Sequence, residues 1–270
     1  MAMTQSTAYE LFLQRRWPNG FECPRCAHNS FYTINTRRLP LYECRLCGHQ
    51  TTLTAGTVLE RSRTPLEKWA QAIDLLSSVH GITAVDLAAN IQVTVKIAWL
   101  MLRRIRLAIG KVEAERQLYG QIKAGLDGLG PYYFLPSQRF KRERVILIGA
   151  SFHPTTDVPI AITLQYVNDD HLEGKRLNRS GKYYYSNFLA RKGSKPVLLN
   201  TRDMVQNPLQ LVFIDVKRWL NGIFKGPRSA SLQTYLDEFA FRWNLILDDK
   251  PVRDEWYRLC LSPKRTALAE

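Results

Sequence analysis

The chain has 270 residues, 45% of them hydrophobic, a length that admits two or three small domains, and its 13 Pro and 15 Gly are too few for broad disorder. No apolar run approaches the roughly 20 residues that cross a bilayer and no signal-peptide core opens the chain, which argues against a membrane protein and predicts a reducing cytoplasmic setting. With 38 Lys and Arg against 24 Asp and Glu, the formal charge is +14, which favours a polyanionic partner, nucleic acid ahead of an anionic membrane surface.

Residues 7–17 read as a short helix that closes the segment 1–19 and leads into the turn Pro18-Asn19-Gly20. Segment 20–60 follows as a zinc ribbon. Cys23-Pro-Arg-Cys26 and Cys44-Arg-Leu-Cys47 are separated by seventeen residues, and two residues between paired cysteines let both thiolates of a tight turn face one ion. Two such turns give the four-thiolate shell of structural Zn²⁺. A disulfide pairing is the competing reading, disfavoured without a secretory leader. Tyr32, Leu41 and Tyr42 supply short strands, and Arg25, Arg45 and His49 surround the knuckles.

Segment 61–112 reads as three helices. Thr64 is expected to cap the first, with Pro65 at its first position, Glu67 completing a capping box and Trp69, Ile73 and Leu76 as its apolar stripe. Thr83-Ala84-Val85-Asp86 opens a short second helix, Ile91-Gln92-Val93 makes a tight turn, and Thr94 caps a third that runs to about Ile109. A short helix, a three-residue turn and a longer helix form the helix-turn-helix plan. On the third helix, Val95, Ala98, Leu102, Ile105 and Ile109 are expected to face inward. Lys96, Arg103, Arg104 and Lys111 project the other way and, with Arg106 and the ribbon's Arg25 and Arg45, are the expected contacts to double-stranded DNA. A solvated basic face on an ordinary helical hairpin is the alternative.

Segment 118–248 reads as an α/β domain: strands at Tyr132–Leu135, Arg144–Phe152 and Val158–Val167, a polar loop over 168–182 with Asp169-Asp170-His171 solvated, a helix at Tyr183–Arg191, a strand at Pro196–Leu199, and helices at Gln210–Phe224 and Ser231–Leu247. Trp219, Phe239 and Trp243 belong to the core, Glu238 and Arg242 pair on the helix surface, and Cys260 is a small buried group in a C-terminal tail over 249–270.

Together these residues resemble a family. The ribbon is followed by Ala55-Gly56-Thr57, Pro65-Leu66-x-x-Trp69, and Gly81-Ile82-Thr83-Ala84 through Ala98-Trp99-x-Met101-Leu102-x-x-Ile105-Arg106. Later come Lys217-Arg218-Trp219-Leu220-x-Gly222 and Leu232-x-x-Tyr235-Leu236-x-Glu238-Phe239-x-Phe241-Arg242-x-Asn244. The pattern resembles bacterial insertion-sequence transposases with an N-terminal zinc ribbon and an RNase-H-like catalytic domain, densely over 20–110 and 215–244 and weakly between. The resemblance implies a multidomain α/β protein in which three acidic or amide residues hold two Mg²⁺ or Mn²⁺ ions for phosphoryl transfer on DNA.

At the family's acidic positions this chain departs. Gly125 and Leu126 stand where the first acids are expected, and Asp127 lies two residues on, on the same strand face but roughly 7 Å away. The second position falls near Asn200, with Asp203 beyond it. Asp215 occupies the third, where it either binds metal or pairs with Arg218 one turn later. The resemblance therefore implies a degenerate, truncated member: a nucleoid-associated DNA-binding protein of transposase descent, acting as a homodimer or with a partner protein. The alternatives are an active transposase using Asp127, Asp170 or Asp203 with Asp215, and a ribbon-bearing subunit of a larger nucleic-acid-processing assembly.

Overall fold

The computed structural model describes residues 4–36, 38–78, 81–130, 143–174, 176–190, 194–225 and 229–262. The chain divides into two compact units, Met1–Ala108 with Pro251–Glu270, and Ile109–Lys250. No single described helix is long and apolar enough to cross a membrane.

In the first unit, α1 (Gln5–Arg16) begins where the Thr4 hydroxyl accepts from Thr7 N–H, satisfying one orphan donor of its first turn. Ala8 and Phe12 are its buried residues. Three short strands, β1 (Phe31–Ile34), β2 (Leu41–Cys44) and β3 (Gln50–Thr52), form an antiparallel sheet in the order β1-β2-β3. So small a sheet has little core of its own. Phe21, Phe31, Tyr42 and Trp17 pack as a ring cluster with centroids 4.8–5.7 Å apart, filling the space beneath the knuckles. The Arg16 guanidinium donates to the Ala55 carbonyl at 2.7 Å and to Leu53, tying down the chain that leaves the ribbon. Burial lowers its pKa to about 10 against the raising effect of Glu60.

Three helices follow: α2 (Leu66–Leu76), α3 (Ala84–Ile91) and α4 (Val95–Ala114). Pro65, not Thr64, is the residue before α2, and no side chain caps it. The Thr64 amide instead donates to the Ser62 hydroxyl. The stripe Trp69, Ile73 and Leu76 is buried as expected, and the Thr83 and Thr94 hydroxyls accept from Asp86 and Ile97 N–H as caps.

Residues 249–270, expected as a tail, contain α9 (Val252–Leu261; the intervening helices are numbered below), which packs against α1 and α2. Trp256, Tyr257 and Cys260 are fully buried. Tyr257 meets Phe12 at 5.7 Å between centroids, and its hydroxyl donates to Asp74 at 3.0 Å. Arg253 grips the same carboxylate at 2.8 and 3.1 Å, and Val58 N–H donates to the Cys260 carbonyl at 3.1 Å.

The second unit is built on a four-stranded sheet, β6-β5-β4-β9, of β4 (Gln121–Leu129), β5 (Arg144–Phe152), β6 (Pro159–Tyr166) and β9 (Val197–Leu198). β4, β5 and β6 form an antiparallel meander, and β9 lies parallel to β4 with Ala124 opposite Leu198. The expected strand at Tyr132–Leu135 falls outside the described residues. Within the expected loop 168–182, a 3-10 turn at Asp169–His171 precedes a two-residue hairpin, β7 (Leu172–Glu173) and β8 (Arg176–Leu177). Helix α5 (Arg179–Leu189) starts four residues earlier than expected because Asn178 accepts from Gly181 N–H as its cap.

Three helices complete this unit: α6 (Thr201–Val205), α7 (Leu209–Phe224) and α8 (Ser229–Leu247). Alternation along β5 divides the core. Ile146, Ile148, Ala150 and Phe152 face the layer of α7 and α8, while Val145 and Leu147 face the layer of α5. Trp219, Phe239 and Trp243 join the first layer.

The outer edge of β6 is closed by amide side chains of α8. Asn244 donates to the Ile162 carbonyl at 2.9 Å and accepts from its N–H at 2.8 Å. Three turns earlier Gln233 accepts from Tyr166 N–H and donates to the Leu164 carbonyl. Each amide does for the edge what a further strand would do.

Candidate zinc centre and nucleic-acid interface

The two knuckles are copies of one turn. The Ala27 N–H donates to the Cys23 carbonyl at 2.8 Å and the Cys23 N–H to the His28 carbonyl; the Gly48 N–H donates to the Cys44 carbonyl at 3.0 Å and the Cys44 N–H to the His49 carbonyl. Their four Sγ atoms lie within 4.8 Å of one another, with Cys23–Cys47, Cys26–Cys44 and Cys26–Cys47 at 3.7, 3.6 and 3.4 Å. A tetrahedron with Zn–S bonds of about 2.3 Å has edges of about 3.8 Å, so the thiols already stand near the corners zinc needs. A disulfide would require about 2.05 Å, and all five cysteines are free. Burial pushes the Cys44 thiol up, but N–H donors from Cys47 and Leu46 and the neighbouring thiols outweigh it, bringing its pKa to about 7. Arg25 and Arg45 are exposed on the knuckles, Arg45 with its guanidinium 4.4 Å over the Tyr32 ring.

Helices α3 and α4 meet at a bend of 114° across Gln92–Thr94, with Gln92 in the left-handed region at φ 54°. The inner face of α4 buries Ala98, Met101, Leu102, Ile105 and Ile109. Val95, expected inward, is 49% exposed, because it precedes the first full turn. Lys96, Arg103 and Lys111 are exposed. Two expected DNA contacts are placed otherwise. Arg106 is 6% exposed and belongs to the buried face. Arg104 is half-buried and donates to the Glu60 carbonyl at 2.8 Å.

Asp127, Asp203 and Asp215 do not form a group of three within metal-binding reach. Among the described residues, the four cysteines form the one group of three or more His, Cys, Asp or Glu within metal-binding reach. Asp127, on β4, accepts from Gly128 N–H at 2.7 Å. A Cβ at Gly125 would overlap the thioether of Met204, which occupies the space a larger residue would need. Asn200 caps α6 by accepting from Asp203 N–H at 2.9 Å, and Asp203 is exposed. Asp215, partly exposed on α7, stands 3.7 Å from Arg218. This i,i+3 surface pair contributes a few tenths of a kcal/mol.

A polar cluster on α4 and α8 of the second unit escaped the sequence reading. Glu238 and Arg242, expected on the surface, are 0% and 8% exposed and bonded to each other at 2.8 Å. Glu113 pairs with Arg116 at 3.1 Å and accepts from Asn244. Burial raises Glu113 to about 7 and Asp237 to about 6; Arg116 and Gln233 respectively oppose the shifts. Glu238, Arg242 and Asn244 are the polar letters of the motif near the end of the chain; the first two pair along the helix, and Asn244 holds that helix against a sheet edge. The apolar residues at i, i+3 and i+4 around them were the signal that this face is buried.

Residues 3–50 match a family described as the transposase zinc-ribbon domain. The chain is 31% identical over 139 residues to a protein described as uncharacterized in transposable element ISH50 of Halobacterium salinarum, covering 47% of this chain and 45% of that protein. The match thus spans less than half the length of that relative. No solved structure matches the chain. Both similarities link the chain to transposable elements.

Proposed function

We propose that this chain is a DNA-binding protein of transposase descent, in which a zinc ribbon and a helix-turn-helix grip duplex DNA and an RNase-H-like sheet serves as scaffold without cleaving. The observation that carries DNA binding is the α3–α4 pair. Its 114° bend falls in the range of helix-turn-helix pairs, and its outer face carries Lys96, Arg103 and Lys111. The ribbon's exposed Arg25 and Arg45 add cations in the unit that holds Lys96 and Arg103. The degenerate-scaffold reading is supported by a three-strand antiparallel meander followed by a helix and a strand parallel to the first, with Met204 packed where a first acid would stand.

One observation favours an active transposase. β4 and β9 are parallel neighbours, which supports placing the first and second acid positions side by side at the same end of adjacent strands. Zn²⁺ is the structural ion of either reading, and Mg²⁺ or Mn²⁺ enters only with cleavage. A single gel decides, following binding and strand scission of duplex DNA from beside the gene with Mg²⁺ or Mn²⁺, for wild type and Asp215→Ala. Salt-sensitive binding without scission in either protein is expected. Metal-dependent scission lost in Asp215→Ala would replace this reading with the active enzyme.

A further inference from the structure

The outer face of α4 is unusual for a surface that meets phosphates. At steps of three and four residues it runs Lys96, Trp99, Leu100, Arg103, Leu107 and Lys111, and Trp99, Leu100 and Leu107 are 49%, 40% and 48% exposed. The inner face is already filled, with Ala98, Met101, Leu102 and Ile105 at 2% exposure or less, so these apolar groups are not surplus core. From Leu87 to Val112 there is no Asp or Glu, and the stripe is flanked by cations throughout. That charge suits a polyanion better than an apolar protein partner.

The first two turns decide what such a face can read. Residues 94–101 are Thr-Val-Lys-Ile-Ala-Trp-Leu-Met, with none of the Arg, Asn, Gln, Asp or Glu side chains that make paired or directional hydrogen bonds to base edges. The Thr94 hydroxyl is engaged as the helix cap. What remains is Lys96, the single N–H donor of the Trp99 indole and apolar surface. The major groove presents one apolar group among the four bases, the C5-methyl of thymine. Arg103 lies 5.7 Å over the Trp99 ring, which orders that indole beside Leu100.

We propose that α4 selects duplex DNA by packing Leu100 and Trp99 on thymine C5-methyl groups in the major groove, while Lys96 and Arg103 contact flanking phosphates. The inference rests on the DNA-binding reading and adds the chemistry of its specificity.

The test uses full-length, zinc-loaded protein. Duplexes are selected from a randomised library, and the winners are remade with deoxyuridine for thymidine, or with 5-methylcytosine in place of cytosine. We expect thymine pairs at fixed positions of the selected duplexes, with affinity falling roughly fourfold for each methyl removed, the value of one buried methylene-sized group. Leu100→Ala, at an exposed position that leaves the fold intact, should shrink the thymine–uracil difference, and Trp99→Ala with Leu100→Ala should erase it, while salt-dependent binding weakens far less. Lys96→Gln should weaken thymine and uracil duplexes alike. Equal affinity for thymine and uracil duplexes would overturn the methyl reading and leave DNA binding standing. A dimer formed without DNA and dispersed by Leu100→Ala would overturn it in favour of a protein interface. Failure to retain any duplex would defeat the DNA-binding reading itself.

Discussion

Ala27 occupies in the first knuckle the place that Gly48 occupies in the second. Both amides donate to the carbonyl of the leading cysteine, and both residues are left-handed, at φ 59° and 65°. A side chain there crowds the following carbonyl, so Ala27 is strained by about 1 kcal/mol where Gly48 is not. Ala27→Gly should stabilise the ribbon by about 0.5 kcal/mol after the entropy of the added glycine, and Gly48→Ala should destabilise it by about 1 kcal/mol. Nothing lies within 4 Å of a Cβ built on Gly48, so its variant tests backbone strain alone. Competition against a zinc chelator reads both, because metal binding and ribbon folding are one equilibrium. Identical chelator midpoints would dismiss the strain.

Zinc removal should unfold residues 20–53 and weaken duplex binding, leaving the second unit folded on its separate core. Amide exchange with and without chelator measures this residue by residue. Protection that persists across the ribbon after verified zinc loss would show that the aromatic cluster of Trp17, Phe21, Phe31 and Tyr42 suffices alone.

The second unit should lose stability as pH rises. Glu113 is raised from 4.5 to about 7 and Asp237 from 3.8 to about 6, chiefly by burial. Between those limits the folded state holds protons that the unfolded chain has released. Their contribution is therefore complete below about pH 4 and is lost as pH climbs through 6 to 7. Glu113→Gln should flatten this slope and gain on the order of 1 kcal/mol at pH 8 relative to pH 5, in urea unfolding of the two proteins. A wild-type-to-variant difference independent of pH would refute it.

Gly125→Asp should not simply restore an acid. The new side chain displaces Met204, which is 2% exposed in the core, so the variant should lose about 1–3 kcal/mol. Adding Met204→Ala should recover part of that loss although it is itself a truncation. Thermal melts of the two single variants and the double variant give the coupling; strict additivity would mean that the two side chains never compete.

Local signals fixed much of this fold. The cysteine spacing, the threonine caps of α3 and α4 and the apolar, β-branched run of β5 each depend on neighbours in sequence, and each is realised. What stayed hidden depends on distant partners. Arg106 carries a charge yet lies on the same helical stripe as Ile105 and Ile109, so charge alone misassigned it. Gln233 and Asn244 look like surface amides until the free edge of β6 is seen. Met204 gives no hint in sequence that it fills the space beside Gly125. In α9, by contrast, Trp256, Tyr257, Cys260 and Leu261 follow helical spacing, and a tail was the wrong reading of an amphipathic pattern.

Helix α9 also sets an order of events during synthesis. Its Trp256, Tyr257 and Cys260 belong to the core of the first unit, yet the ribosome makes them only after the whole of Ile109–Lys250. A nascent chain that has extruded the ribbon and α1 to α3 still shows a vacant apolar seat around Phe12 and Ala70. The unit proposed to hold DNA thus matures last although it is translated first, and any product interrupted within the second unit would emerge with that seat open to chaperones and proteases.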